Sequence, residues 1–379
     1  MATELRQPAS EVAPPRESPY EVWIRNERVP IFSGFGISGI KDIKLSPWDR
    51  LGGRGAFLQL TGLEGLVGLY TAEIPPGASL VAEKHLYDEI MYVLSGHGAT
   101  EVWNSSGSQP GGSSTTFEWA ESSVFAPPLN VWHRLHNGSG NEPARVVGIT
   151  TAPLMMDLLR NTDFIFSCDY RFAERYDGAA DYFAARDIRL PRPSGRSFVL
   201  RTNLIADVRK ITVNPQGPPR LDRRSLSYEI SGNALNGHME DWPPGLHDKA
   251  HYHGGGAVIL ILGGQGYSLL WPKQWGTQPY QNGYGDRVVK VEWNEGSVFS
   301  PPTDWFHQHF NNGATRMRFI AFHFSQQGVK FWESHSGQGL KVSLRQGGTE
   351  IDYEDQDPEI VAQFKRSLAD VGVPYIEPL

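Results

Sequence analysis

Two stretches of this chain are copies of one another, and a repeat of that size restricts the fold more than any single residue can. The segment Ile74 to Trp103, IPPGASLVAEKHLYDEIMYVLSGHGATEVW, aligns without a gap on Trp242 to Trp271, WPPGLHDKAHYHGGGAVILILGGQGYSLLW, because 243 − 75, 264 − 96 and 271 − 103 all equal 168. Pro75, Pro76 and Gly77 fall on Pro243, Pro244 and Gly245, and Gly96, Gly98 and Trp103 on Gly264, Gly266 and Trp271. A second block follows in the same order: Trp119 to Asn137, WAESSVFAPPLNVWHRLHN, matches Trp293 to Asn311, WNEGSVFSPPTDWFHQHFN, at an offset of 307 − 133 = 174. The six residues gained (174 − 168) fall in the turn-rich stretch PKQWGTQPYQNGYGDRVVKVE between the later blocks. The chain therefore reads as two copies of one domain.

The residues inside the blocks decide the class of that domain. Short runs rich in Val, Ile, Tyr, Phe and Trp are separated by turn residues, 41 Gly and 27 Pro in a chain of 379, which predicts a mostly β protein. A formal charge of −7 and the absence of a long Lys/Arg run argue against a nucleic-acid footprint or a polybasic membrane patch and leave small molecules as the expected partners. Cys168 is the single cysteine, so no intrachain disulfide framework exists. The first residues, MATELRQPASEVAPPRESPY, lack the basic start and apolar stretch of a signal peptide, and no apolar run reaches transmembrane length. A cytoplasmic setting is expected.

Candidate chemistry gathers in the second copy. Residues i and i+2 on a strand face the same side, so His251 and His253 can both enter a small barrel, and a distant strand in VFSPPTDWFHQHFN can bring His307 across to meet them. Three neutral imidazoles suit Fe, Cu, Ni, Zn or Co and leave positions open for substrate and for water or dioxygen.

The two blocks resemble the paired signature motifs of the cupin superfamily: HxH, three or four residues, Glu, six residues, Gly, then Pro, a few residues, His, three residues, Asn. Residue by residue, the second copy supplies His251, His253 and His307 with Gly264 and Asn311 as framing positions, while Ala257 stands where the family has its glutamate. In the first copy His85, Glu89 and His133 match and Glu83 replaces the first histidine of the pair. The resemblance implies two tandem cupin barrels (double-stranded β-helix, jelly-roll) with a few peripheral helices. It implies a metal at His251, His253 and His307, and a possible second or vestigial site at Glu83, His85, Glu89 and His133. With Ala257 in the glutamate position, a metal there keeps its full charge and gains room for a substrate that chelates through two oxygens.

Strand parity adds candidates for acid–base work. His309 lies two residues beyond His307, facing the same way, and its repeat partner is Leu135 (309 − 174); His323, in RMRFIAFHF, lies on the expected last strand of the barrel. His238 and His247 are expected at the rim, His97 in an exposed turn, and Trp305 and Phe306 in the pocket lining or the core. The triple glycine Gly254 to Gly256 suits either a turn or clearance for substrate.

The expected organisation is a disordered tail over residues 1–19, a first barrel over 20–152, a packed connection over 153–197 that opens with a short helix near Pro153 to Arg160, a second barrel over 198–330, and an extension over 331–379. In that extension DPEIVAQFKRSLADVG carries an Asp cap, a following Pro and apolar Ile360, Val361, Phe364 and Leu368, which predicts an amphipathic helix at about 358–371. Among bicupins, a three-histidine centre is similar to that of gentisate-type dioxygenases. This implies Fe(II), with Mn, Ni, Cu or Zn as alternatives, and a small aromatic, hydroxy-acid or enolic substrate with dioxygen. The other readings are non-oxidative metal chemistry (hydrolase, lyase, isomerase or decarboxylase) and a non-catalytic ligand-binding bicupin. A homodimer or higher homo-oligomer is the expected assembly.

Overall fold

The computed structural model describes residues 17–104, 107, 109–191, 198–324 and 342–378. Each copy of the repeat forms a pair of β-sheets. In the first half an eight-stranded sheet centres on Gly68–Ile74, Ala144–Thr150 and Glu89–Ser95, and faces a three-stranded sheet ordered His133–Asn137, His97–Trp103, Ser114–Ala120. In the second half a nine-stranded sheet centres on Leu235–Trp242, Met317–Phe324 and Val258–Gly263, opposite Val289–Asn294, Gln265–Pro272 and Trp305–Phe310. The mostly β, two-barrel architecture is the one the repeat implies.

Burial explains why the strands differ in composition. Ser114–Ala120 alternates exposed and buried residues at its outer end, as a strand with one wet face must, whereas every residue of Gly68–Ile74 is buried. The large sheets have no free face because they pack on each other. Leu58, Leu69, Ile90 and Val147 of the first half share one apolar cluster with Tyr228, Leu260, Ile320 and Phe322 of the second. A second cluster, with Trp48, Phe57, Tyr70, Met91 and Phe125, fills the first barrel with aromatic rings.

Motif residues outside the chemistry hold the barrels' corners. Gly96 and Gly264 both adopt φ near +80°, and a Cβ there would press on the backbone at Ala144 or at Arg316 and Met317. Asn137 donates through Nδ2 to the carbonyls of Ile74, Pro75 and Glu142, and Asn311 to those of Trp242 and Thr315, so the repeated Asn pins the start of one strand connection to the end of another.

The halves also exchange strands. Leu204–Ile205 pairs with Val124–Phe125 in the first barrel's sheet, and Gly36–Ile37 pairs with Val298–Phe299 in the second's. A division of the chain anywhere between 152 and 198 cuts across both pairings. The connection packs on the first barrel through Ile165, Tyr176 and Phe183; its helix runs Ala152–Leu159, and a second helix, Thr162–Ser167, follows that the sequence reading did not anticipate.

The ends need two corrections. The tail expected over 1–19 lies outside the described residues as far as 16, but Ser18 and Glu21 form a capping box that starts the helix Pro19–Asn26, so Ser18 and Pro19 belong to a helix start. The C-terminal helix spans Pro358–Ala369 and closes two residues sooner than expected; Asp357 caps it, and Ile360, Phe364 and Leu368 pack against Tyr267, Trp271 and Phe310 of the second barrel.

Candidate metal centre

His251, His253 and His307 meet in the second barrel with one ligand atom each, all within 4.8 Å of one another. His307 sits on Trp305–Phe310, whereas the expected strand at His251 and His253 is an extended segment fixed by a backbone pair: His251 N donates to His307 O at 3.1 Å and His307 N to His251 O at 2.8 Å. Each ring presents its Nδ1 to a backbone carbonyl: Lys249 at 3.0 Å, Gly254 at 2.6 Å and Trp305 at 3.2 Å, respectively. A carbonyl only accepts, so Nδ1 carries the proton and Nε2 keeps a lone pair for a metal. Burial depresses all three pKa values, His253 to about 3 with His251 adding to the effect and His307 well below its ordinary value, so the set is neutral at pH 7. His251 and His253 are half-buried and His307 is buried.

The first barrel assembles a different trio. His85, Glu89 and His133 offer atoms within 4.8 Å of one another, and all three are buried. His85 and His133 again donate Nδ1–H to carbonyls, of Tyr87 at 2.9 Å and Val131 at 3.0 Å, and His133 Nε2 is left buried without a hydrogen-bond partner, as a metal ligand would be. His85 Nε2 lies 3.3 Å from Glu89 Oε2; burial pushes the His85 pKa down, but that hydrogen bond and the charges of Glu89 and Glu83 outweigh it and raise it. Glu83 does not join. It occupies the position of His251, exchanging backbone bonds with His133, but its carboxylate pairs with Arg50, which overcomes burial and holds its pKa low. The Tyr87 ring stacks on His85 at 3.7 Å and closes the site. Each barrel thus keeps three of the four motif positions, and the one it lacks differs.

The second barrel is also more polar inside. His309 is buried, with its pKa lowered to about 3 by burial and then by His251, and its Nδ1 lies 2.7 Å from Ser268 Oγ, which also accepts from Trp293 Nε1 at 3.0 Å. The first barrel has the same Trp-to-hydroxyl bond, Trp119 Nε1 to Thr100 Oγ1 at 3.0 Å, but Leu135 stands in place of His309. His323 is on Met317–Phe324 and pairs with His238, Nε2 to Nδ1, at 3.3 Å, so His238 belongs to the interior wall and not the rim. His247 also departs from the rim: it is buried beneath the C-terminal extension between Phe310, Tyr353, Phe364 and Tyr375. Phe306 is core, Trp305 packs on Phe35 from the first half, and His97 is exposed as expected but opens the strand His97–Trp103 instead of lying in the turn.

Three interior charges escaped the sequence reading. Arg223 donates to Glu240 at 2.6 and 3.0 Å, Trp242 Nε1 donates to the same oxygen at 2.6 Å, and Asp248, its carboxyl pushed up to about 8 by burial against the opposing pull of Arg223, accepts from His309 N at 2.7 Å. Strand parity was the available signal, since Glu240 lies two residues from both His238 and Trp242.

Two residues of the triple glycine, Gly255 and Gly256, are explained by the neighbouring barrel. Gly256 N donates to Gly62 O at 2.8 Å, Gly255 N to Thr303 Oγ1 at 2.6 Å, and the Glu64 carboxylate accepts from both Thr303 N, at 2.7 Å, and Thr303 Oγ1. A side chain at Gly255 would run into Glu64 and Thr303, so the loop after His253 is small for close packing between the halves.

No family model matches the sequence, and no curated protein is similar to it in sequence. Among solved structures the chain is similar to an oxalate decarboxylase, at 12% identity over 78% of each chain with a TM-score of 0.47. It is also similar to a variant of Bacillus subtilis oxalate decarboxylase, at 13% identity over 77% of this chain and 78% of that one with a TM-score of 0.45. A third is the vicilin of hazelnut, Corylus avellana, at 9% identity over 76% and 85% of the two chains with a TM-score of 0.44. No helix among the described residues is long and apolar enough to cross a membrane. The repeated motifs, each lodged in its own pair of sheets and each framed by the same Gly and Asn, make this chain two tandem copies of one mostly β domain.

Proposed function

We propose that the second barrel is the active centre of a mononuclear metal-dependent dioxygenase acting on a small substrate that chelates through two oxygens. The observation that carries this reading is the contrast between the clusters: three neutral imidazoles, two of them half-buried, in the second barrel, and a fully buried trio with a carboxylate in the first. His251, His253 and His307 would hold the metal through Nε2, with Fe(II) expected and Mn, Ni, Cu or Zn as alternatives. When bound, such an ion supplies coordination for substrate and dioxygen and a route for electron density between them. The chain's own residues do the rest. The carbonyls of Lys249, Gly254 and Trp305 fix the ring orientations. Ala257 contributes only a methyl group where a fourth, anionic ligand would stand, so an aromatic hydroxy acid or enolic substrate meets an uncompensated cationic centre. His309, steadied by Ser268, and His323 are the candidates to hold or pass a proton beside it. The first barrel serves as a buried structural partner.

The test is oxygen uptake by iron-reconstituted protein offered catecholic, enolic and hydroxy-acid compounds, with His253→Ala as the control. Uptake that requires the compound and vanishes in the variant is the expected result. The His238–His323 pair beside Glu240 also favours a second reading, proton-transfer chemistry without oxidation, and turnover under nitrogen at an undiminished rate would select it.

A further inference from the structure

The segment that carries His251 has two edges, and distant parts of the chain hold them. On one edge it exchanges backbone bonds with His307. On the other, Tyr252 N donates to Thr349 O at 3.2 Å and Ile351 N to Ala250 O at 2.8 Å. Residues of the C-terminal extension thus complete a three-stranded strip with His251 in the middle, opposed by His307 on one side and by Glu350 on the other. Residues opposed across antiparallel neighbours project from the same face. Glu350 therefore shares the face of His251 and His307.

Side chains reinforce the pairing. Lys249, two residues before His251, donates through Nζ to Glu350 Oε1 at 3.1 Å and to Asp352 Oδ1 at 2.8 Å, and the Tyr353 hydroxyl donates to the His247 carbonyl at 3.3 Å. The Glu350 side chain is only 16% exposed, so solvent screens this ion pair less than one on the open surface. Burial depresses the His251 pKa, and the bond to the Lys249 carbonyl and the Glu350 carboxylate both oppose it. The field of that carboxylate reaches the ring and favours positive charge beside it.

The first barrel fastens its equivalent segment with a different part of the chain. Val81 N donates to Leu51 O at 2.8 Å, and Arg50 draws Glu83, the counterpart of His251, away from the trio. Chain from outside the repeat fixes the segment in both copies, from before the repeat in the first and from after it in the second. The consequences are opposite: a cation removes the motif residue from one cluster, whereas a carboxylate paired with Lys249 leaves His251 in the other.

Resting on the proposed metal centre, we infer that the C-terminal extension is a working part of it, with Glu350 as the positioning residue that holds His251 in line with His253 and His307. The middle strand of a strip cannot shift without breaking bonds at both edges, so the extension limits the movement of one ligand against the other two. Binding and pairing are then linked: an ion held by the three rings opposes separation of residues 349–351 from the ligand segment, and the pairing raises affinity for the ion by the same factor.

The test uses the full chain with Co(II), whose absorption reports ligand geometry, in a His85→Ala background that silences the other cluster. Glu350→Ala should weaken cobalt binding by about 10–100-fold and shift the absorption bands. In the background protein itself, saturating cobalt should slow amide hydrogen exchange at Tyr252 and Ile351, and adding His253→Ala should abolish that response. The exchange is read with the extension unaltered, so it decides the matter even where Glu350→Ala folds poorly. Equal cobalt affinity and spectra with and without Glu350, or exchange at Tyr252 and Ile351 that ignores cobalt once it is bound, would overturn the role of the extension while leaving the metal centre intact. Failure of the background protein to take up cobalt at His251, His253 and His307 would overturn both.

Discussion

The Nδ1 atoms of His85, His133, His251, His253 and His307 all face backbone carbonyls, so the preparation of these residues as Nε2 ligands is a property of local backbone geometry that both copies share. What separates the copies is a handful of substitutions. Glu83 found Arg50 as an ion-pair partner and left its cluster, and Ala257 removed a carboxylate from the other. The exposure difference has a kinetic consequence. In protein loaded with metal at both clusters, a strong chelator should withdraw ions in two phases, because two of the second barrel's three groups are only half-buried whereas all three of the first are buried, with Tyr87 stacked on His85. His307→Ala should abolish the fast phase alone and His133→Ala the slow phase alone, read by metal analysis after timed desalting. A single phase in wild type would count against a closed first site. The pairing of His251 and His253 was legible from their spacing at i and i+2. The fate of Glu83 was not, because Arg50 lies 33 residues away and only folding makes them neighbours.

At the scale of elements, the C-terminal helix is tied to the second barrel through a buried histidine. His247 has its pKa lowered to about 4, first by burial and further by Lys365, with its hydrogen bond to the Asp248 carbonyl opposing. The polar groups facing it are the Asp248 backbone, Gln308, Tyr353, Tyr375 and Lys365, and none brings a negative charge to that ring at neutral pH. An undocked histidine binds its proton below about pH 6.5, so between roughly pH 6.5 and 4 the undocked state holds more protons than the docked one. Docking is therefore strongest above that window and weakens as pH falls through it. Amide hydrogen exchange over Pro358–Ala369 should be slow at pH 7.5 and, after correction for intrinsic rates, markedly less protected at pH 5. His247→Phe should flatten that dependence, and an unchanged dependence in that variant would remove His247 from the account. The helix itself was readable from its Asp cap, Pro and apolar spacing; its docking partner was not, since His247 resembles a ligand-loop histidine in sequence.

For the whole molecule, the decisive feature is that neither barrel is complete alone. Strands are exchanged in both directions, the large sheets share one core, and the loop after His253 is hung on Gly62 and Glu64 of the other half. A methyl group at Gly62 would collide with the carbonyls of Ser300 and Pro301, so Gly62→Ala should lower the unfolding free energy by about 1–3 kcal/mol, measured by denaturant titration. Since that loop and the segment before His307 are carried together, the same variant should also weaken metal binding in the second barrel, a loss that a purely local role for Gly62 would not produce.

Sequence alone determined the duplication, the β class and the three-histidine set, because each is written in periods and offsets that do not depend on what lies nearby: side chains alternate along any strand, and a repeat aligns with itself in any fold. Tertiary structure decided which cluster is the more exposed, which glutamate is a ligand candidate and which an ion-pair partner, and why Gly255 and Gly256 carry no side chain. Those outcomes rest on contacts between residues far apart in the chain, where burial and charge are set by neighbours that only the packed barrels supply.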